Sequence, residues 1–224
     1  MEKLDSDESA FIAKAGNPEI GYLKQIAFDD PDVTLEQEVR KCFVKMDERK
    51  AELARAAAEL EHDYSDEKVA RYTAMEEAFK DDGGYYYEKE YEVMIRKFGF
   101  SDDERKKPIR DFSGGQQTKI AFIKLLLSKP DILLLDEPTT YLDIRHQHGL
   151  MQYLNRHRQN FSAVMVLHDL NLAAQYAQHI VLLNQGKIVA AGTLDAVMRA
   201  ELLAEVYQWP IRAVGEGSER YFKV

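Results

Sequence analysis

Ile132-Leu133-Leu134-Leu135-Asp136-Glu137-Pro138-Thr139-Thr140 is the stretch that decides how this chain is read. Its aliphatic run is too short for a buried helix and suits a strand covered on both faces. The run ends in adjacent carboxylates, which the alternation of a strand sends to opposite sides of its C-terminal edge. There Asp136 can hold Mg²⁺, usually through water, and Glu137 can polarise an attacking water. A solvent-facing strand end would account for two acids. It would not account for the proline behind them or for Asp143 a few residues on.

Upstream, Asp111-Phe112-Ser113-Gly114-Gly115-Gln116-Gln117 opens an amphipathic helix that runs through Ile120, Ile123, Leu126 and Leu127. Ser113 is a natural N-cap, and Gly114 and Gly115 let the backbone come close to a ligand. The free N–H groups and the positive helix end then form an anion site. Downstream, Ala163-Val164-Met165-Val166-Leu167 ends at His168-Asp169. A histidine at the mouth of a neighbouring strand can reach a γ-phosphate and orient the water. Ile180-Val181-Leu182-Leu183 is of the same kind, and all three apolar runs read as parallel strands of an α/β sheet. Lys187-Ile188-Val189-Ala190, after Gln185-Gly186, reads as a hairpin strand.

The texture divides the chain into four segments: 1–34, 35–112, 113–193 and 194–224. In the first, Ala10-Phe11-Ile12-Ala13 and Glu19-Ile20-Gly21-Tyr22-Leu23 read as core strands around a Gly16-Asn17-Pro18 turn. In the second, Leu35, Val39, Cys42, Met46, Leu53 and Leu60 form a coiled-coil-like seam, about 40 Å long if helical throughout. Helical runs over Val69–Phe79 and Tyr87–Phe98 follow, giving a charged helical hairpin packed on itself. The third segment holds the motifs, and the fourth is a C-terminal tail.

Composition narrows the function. With 30 Lys+Arg against 39 Asp+Glu the net charge is -9, which argues against a nucleic-acid face spread over the molecule. The single cysteine, Cys42, cannot form an internal disulfide. The start of the chain lacks the pattern of a secretion signal, and no apolar run approaches the roughly 20 residues of a membrane span. The chain is expected in the cytoplasm, at the inner face of the plasma membrane if a partner holds it there.

Together these motifs resemble an ABC-type ATPase. Ser113-Gly114-Gly115-Gln116 is similar to the ABC signature, with Phe112 where leucine is commonest. Leu133-Leu134-Leu135-Asp136-Glu137-Pro138-Thr139 is similar to the Walker B strand, Asp143 to the D-loop aspartate and His168 to the H-loop switch. Gln25 resembles the Q-loop glutamine, which contacts Mg²⁺ and the attacking water. The resemblance implies a RecA-like P-loop core with an enlarged helical subdomain. It also implies ATP and Mg²⁺ as ligands and a second ABC domain arranged head to tail. Glu137 and His168 would be catalytic. Gln25, Ser113, Gly114, Gly115, Gln116, Asp136 and Asp143 would bind the nucleotide or metal.

Residues 19–140 are most similar to ABC-F translation factors, through Gly21-Tyr22-Leu23-Lys24-Gln25, the charged hairpin and Gly83-Gly84-Tyr85. Residues 141–224 instead resemble siderophore, haem and vitamin B12 importer ATPases, through Thr140-Tyr141-Leu142-Asp143-Ile144 and Leu167-His168-Asp169-Leu170-Asn171-Leu172-Ala173. The expected partner is therefore a membrane permease rather than the ribosome, with an ABC-F factor and a non-catalytic partner subunit as alternatives. A chimeric or truncated reading frame would explain the two likenesses, as would one divergent family.

No stretch of the 224 residues reads G-x-x-x-x-G-K-[ST], the Walker A loop whose amides and lysine balance a triphosphate. Gly16 and Gly21 have the glycine spacing but are followed by Tyr22 and Leu23. The isolated chain is therefore expected to bind Mg-ATP weakly or not at all and to be inactive by itself, with apolar sheet surface exposed and modest stability.

Overall fold

The computed structural model describes residues 16–23, 28–215 and 220–224. Its central sheet has three parallel strands, β1 (Ile20–Leu23), β2 (Ile132–Asp136) and β3 (Ser162–Val166), in that order. Tyr22 faces Leu134 and Leu134 faces Val164, so the three C-terminal edges lie side by side. Leu133 and Leu135 of β2 are buried, as expected of a central strand. The expected strand at Ala10–Ala13 lies outside the described residues.

Between β1 and β2 the chain builds the helical subdomain. α1 (Leu35–Arg40) is capped by Thr34, whose hydroxyl accepts from Gln37 N while the Gln37 side chain accepts from Thr34 N. α2 (Val44–Leu60), α3 (Asp66–Asp81), α4 (Tyr87–Lys97) and α5 (Gly114–Leu127) follow. α2 and α3 pack as the expected hairpin. The single long seam from Leu35 to Leu60 is corrected. A 3₁₀ turn at Lys41–Phe43 breaks the helix, because Phe43 turns into the core against Tyr87, ring centroids 5.1 Å apart.

Leu35, Val39, Ile95, Ile120 and Ile123 are fully buried in one apolar cluster that joins α1, α4 and α5. Glu38 is buried beside it and accepts from Lys41 in the 3₁₀ turn that follows α1 and from Lys124 in the last turn of α5, the latter at 2.6 Å. A buried carboxylate between two ammonium groups fixes α1 against the C-terminal turn of α5. The two lysines hold the Glu38 carboxyl below the ordinary range against the desolvation that would raise it.

After β2 come α6 (Ile144–Arg156), then β3, α7 (Leu170–Tyr176), β4 (Ile180–Asn184), β5 (Lys187–Gly192), α8 (Leu194–Val197), α9 (Ala200–Tyr207), β6 (Arg212–Val214) and β7 (Tyr221–Lys223). Ile180–Leu183 is not a third parallel strand, which corrects the reading above. Among the described residues β4 pairs only with β5, antiparallel, through a turn at Gln185-Gly186 where both residues have positive φ. The one buried side chain of β4, Leu182, packs with Val197, Leu203 and Phe222 of the later elements, in a cluster separate from that of the central sheet.

The sheets expose apolar side chains, as the sequence leads one to expect. Val164 is 60% exposed, and Val166, Val181 and Leu183 each exceed half.

Candidate functional site

β2 delivers Asp136 to the sheet edge, and the chain then turns sharply at Glu137. Glu137 has φ 47°, in the left-handed region that a residue with a Cβ seldom occupies. Strain of this kind persists where neighbours over-determine it. Two do so here. His168 Nε2 donates to Glu137 Oε1 at 2.6 Å, and Thr140 Oγ1 donates to Oε2 at 3.0 Å. His168 follows β3, so the contact spans two adjacent strand ends. The His168 bond first, and Thr140 second, hold the Glu137 carboxyl below the usual carboxylate range. Glu137 is therefore an ionised acceptor engaged at both oxygens.

His168 is held from behind. Asp169 caps α7, its carboxylate accepting from Asn171 N at 2.7 Å and Leu172 N at 3.0 Å. The Asn171 side chain in turn donates to Phe222 O and accepts from Phe222 N, at 3.1 and 2.6 Å, so β7 is laced to the helix behind the histidine.

Ser113 caps α5 as expected, in a closed box. Its hydroxyl accepts from Gln116 N at 3.3 Å, and the Gln116 side chain accepts from Ser113 N at 3.0 Å. Gln117 Nε2 ties the preceding loop by donating to Ile109 O and Phe112 O. The two glycines have different uses. A Cβ at Gly114 would meet nothing within 4 Å, and the residue is exposed. A Cβ at Gly115 would lie 2.5 Å from Tyr141 O, so Gly115 serves the close approach of protein backbone and not that of a ligand.

Asp143 caps α6, accepting from His146 N at 3.0 Å and from His146 Nδ1 at 2.7 Å. The His146 backbone N–H first, then its ring, holds the Asp143 carboxyl below the ordinary range. Gln147 Nε2 donates to Thr139 O at 2.9 Å and fastens α6 to the loop after β2.

The structure thus brings Glu137 and His168 together and joins Gly115 to the loop before Asp143. Among the described residues no hydrogen bond links the Ser113 turn to Glu137 or His168. Gln25 lies outside the described residues. Sequence reasoning missed Thr140, Tyr141, His146, Gln147 and Asp169. A hydroxyl three residues after Glu137 and a histidine three after a capping aspartate were the available signals for the first and third.

The donor set fits Mg²⁺ accompanying a nucleotide. Among the described residues no three His, Cys, Asp or Glu side chains converge. The half-buried Asp136 at an open strand edge supplies the single carboxylate that this ion takes when phosphate oxygens and waters fill its other positions. The fit covers the metal and water end of the ligand, not its phosphate cradle.

Known proteins identify the family and the fold. The family model described as ABC transporter matches residues 3–140, more than half of the chain, and the chain belongs to that family. Hemin import ATP-binding protein HmuV of Photobacterium damselae subsp. damselae is 41% identical over 115 residues, covering 49% of this chain and 43% of that protein. An uncharacterized ABC transporter ATP-binding protein, YfmM of Bacillus subtilis (strain 168), is 31% identical over 171 residues, covering 75% of this chain and 32% of its own length. Matches span less than half the length of these relatives. A solved ATP binding subunit of an ABC transporter superposes with a TM-score of 0.59 at 21% identity, over 85% of this chain and 67% of that one, which establishes the α/β ABC ATPase fold. No described helix is long and apolar enough to cross a membrane.

Proposed function

We infer that the chain is the signature, Walker B and H-loop part of an ABC ATPase that couples ATP binding and hydrolysis to import of a haem- or siderophore-type substrate. The contact between His168 Nε2 and Glu137 Oε1 is the observation that carries this reading, and the likeness to a hemin import protein supports the substrate class. Asp136, with Gln25, would hold Mg²⁺, and ATP bound there supplies the phosphoanhydride that water cleaves. Glu137 accepts a proton from that water at a carboxylate oxygen. Its ionised state suits a base, although the His168 bond weakens its basicity, so proton transfer is favoured once His168 swings from Glu137 toward phosphate.

Ser113 and the exposed Gly114 offer an anion site at the α5 N-terminus. In a head-to-tail pair with a second ABC domain this site faces the partner's nucleotide. The importer reading places the pair at the cytoplasmic face of a membrane permease.

A second reading is favoured by the charged α2–α3 hairpin. Here the hairpin is the ribosome-contacting arm of an ABC-F factor. Co-purification with a permease supports the importer, and co-sedimentation with ribosomes supports the ABC-F factor. A third reading makes this chain a non-catalytic partner that lends Ser113 and α5 to another protein's site. Mixing the chain with a full-length relative whose own signature serine is replaced tests the shared chemistry. Restored hydrolysis supports a lent site, and absence of rescue at any ratio counts against it.

A further inference from the structure

A groove of about 520 Å³ lies between the C-terminal end of α4, α5 and α6, within the range of small-molecule sites. Lys97, Lys119, Arg145, His146 and Arg156 line it, and among the described residues no carboxylate does. In a chain of net charge -9 this is an unusual local balance. Phe98, Phe122 and Leu150 contribute an apolar floor. A cleft lined by one sign of charge over low-dielectric walls concentrates counter-ions.

Among the described residues none of Lys97, Lys119, Arg145 and Arg156 forms an ion pair. Lys97 instead lies 4.2 Å over the Tyr153 ring, a contact that leaves its donors open to an anion. The carboxylates near Lys119 are Asp143 and Glu104, and both are engaged, by His146 and by Ser101 with Gln116. Burial, and then the charge of Arg156, hold the Lys97 ammonium below its usual range, and burial does the same to Lys119. An anion in the groove relieves both effects.

We propose that this groove binds a linear chain of three or more phosphates free of Mg²⁺, at a site separate from the Asp136–Glu137 edge. A carboxylate or a single phosphate brings too little charge to match Lys97, Lys119, Arg145 and Arg156 together, whereas a chain of phosphates carries about one charge for each of them. Chelation by Mg²⁺ removes two of the charges on which the site depends. The phosphate chain could be inorganic or belong to a nucleotide, and the shared chemistry is the polyphosphate.

Calorimetric titration of the 224-residue chain with inorganic tripolyphosphate in EDTA tests the proposal. We expect binding that weakens about tenfold or more in Arg145→Gln/Arg156→Gln, with an independent loss in Lys97→Gln/Lys119→Gln. Raising the salt should weaken it as well, and Asp136→Asn should leave it as it is. All four cations are at the surface or half-buried, and thermal melts monitored by circular dichroism check that each variant folds. Equal binding of tripolyphosphate and Mg-free ATP supports the site and assigns it to the phosphate chain. Tighter binding of Mg-free ATP supports it and adds a nucleoside contact on the floor. No tripolyphosphate binding, binding unchanged in both double variants, or binding of single-stranded RNA alone overturns it. None of these outcomes depends on hydrolysis, so the ATPase reading stands or falls separately.

Discussion

His168 Nε2 sits 2.6 Å from Glu137 Oε1, across the ends of two neighbouring parallel strands. The pair joins the strongest motif in the sequence to the histidine that the sequence places at the mouth of the neighbouring strand. It sets the protonation state of the carboxylate and holds Glu137 in its left-handed backbone conformation.

Replacing His168 by alanine removes the first cause of the depressed Glu137 pKa, which should then rise toward the ordinary value of 4.5. Carbon-13 titration of the Glu137 carboxyl reads this directly, and Thr140→Val should give a smaller shift in the same direction. In the unaltered chain the folded carboxyl titrates below its unfolded value. Its contribution to stability is therefore present above that value and lost as the pH falls through the folded pKa. An unchanged titration in both variants would sink the assignment.

Lys124→Met should destabilise the fold by about 1–3 kcal/mol, because Glu38 stays buried with only Lys41 to compensate it. The sign with pH follows from the lowered Glu38 pKa. The ion triad stabilises above the unfolded carboxyl value near 4.5 and stops doing so as acid protonates Glu38. Urea unfolding at neutral and acid pH should show the mutational difference shrinking in acid.

Gly115→Ala should cost about 1–3 kcal/mol, since the added methyl meets a backbone oxygen that cannot swing away as a side chain would. Gly114→Ala, with open space around it, should be neutral or slightly stabilising in thermal melts. Equal losses at both positions would refute the division of labour between the two glycines.

Val164→Lys and Leu183→Lys should change stability by no more than about 1 kcal/mol each, because both side chains already lie in water. The double variant should bind less of an apolar dye and self-associate less at high concentration. Unchanged dye binding would mean that these strands are covered in solution.

What was legible in the sequence was whatever a short local pattern fixes. The run before Asp136 is a strand, Ser113 is a cap, and the helices around Phe79 and Tyr91 follow their apolar spacing. The parallel pairing of β2 with β3 and the hairpin after Gln185-Gly186 were legible too. That Ile180–Leu183 stays out of the central sheet was not, because it depends on Leu182 packing with Val197, Leu203 and Phe222, far away in the chain. The break at Lys41–Phe43 was hidden because the apolar spacing continues through it while Phe43 turns inward. At the site, the residue types were readable. Their supporting contacts from Thr140, His146 and Asp169 depend on distances that no spacing rule encodes.

The double hydrogen bond between the Asn171 side-chain amide and Phe222 makes β7 a mooring for α7. Any adaptor or modification that pulls β7 away strips that amide of both partners and loosens the segment on which His168 rides. Residues 221–224, far along the chain from any motif, thus have mechanical access to the Glu137 carboxylate.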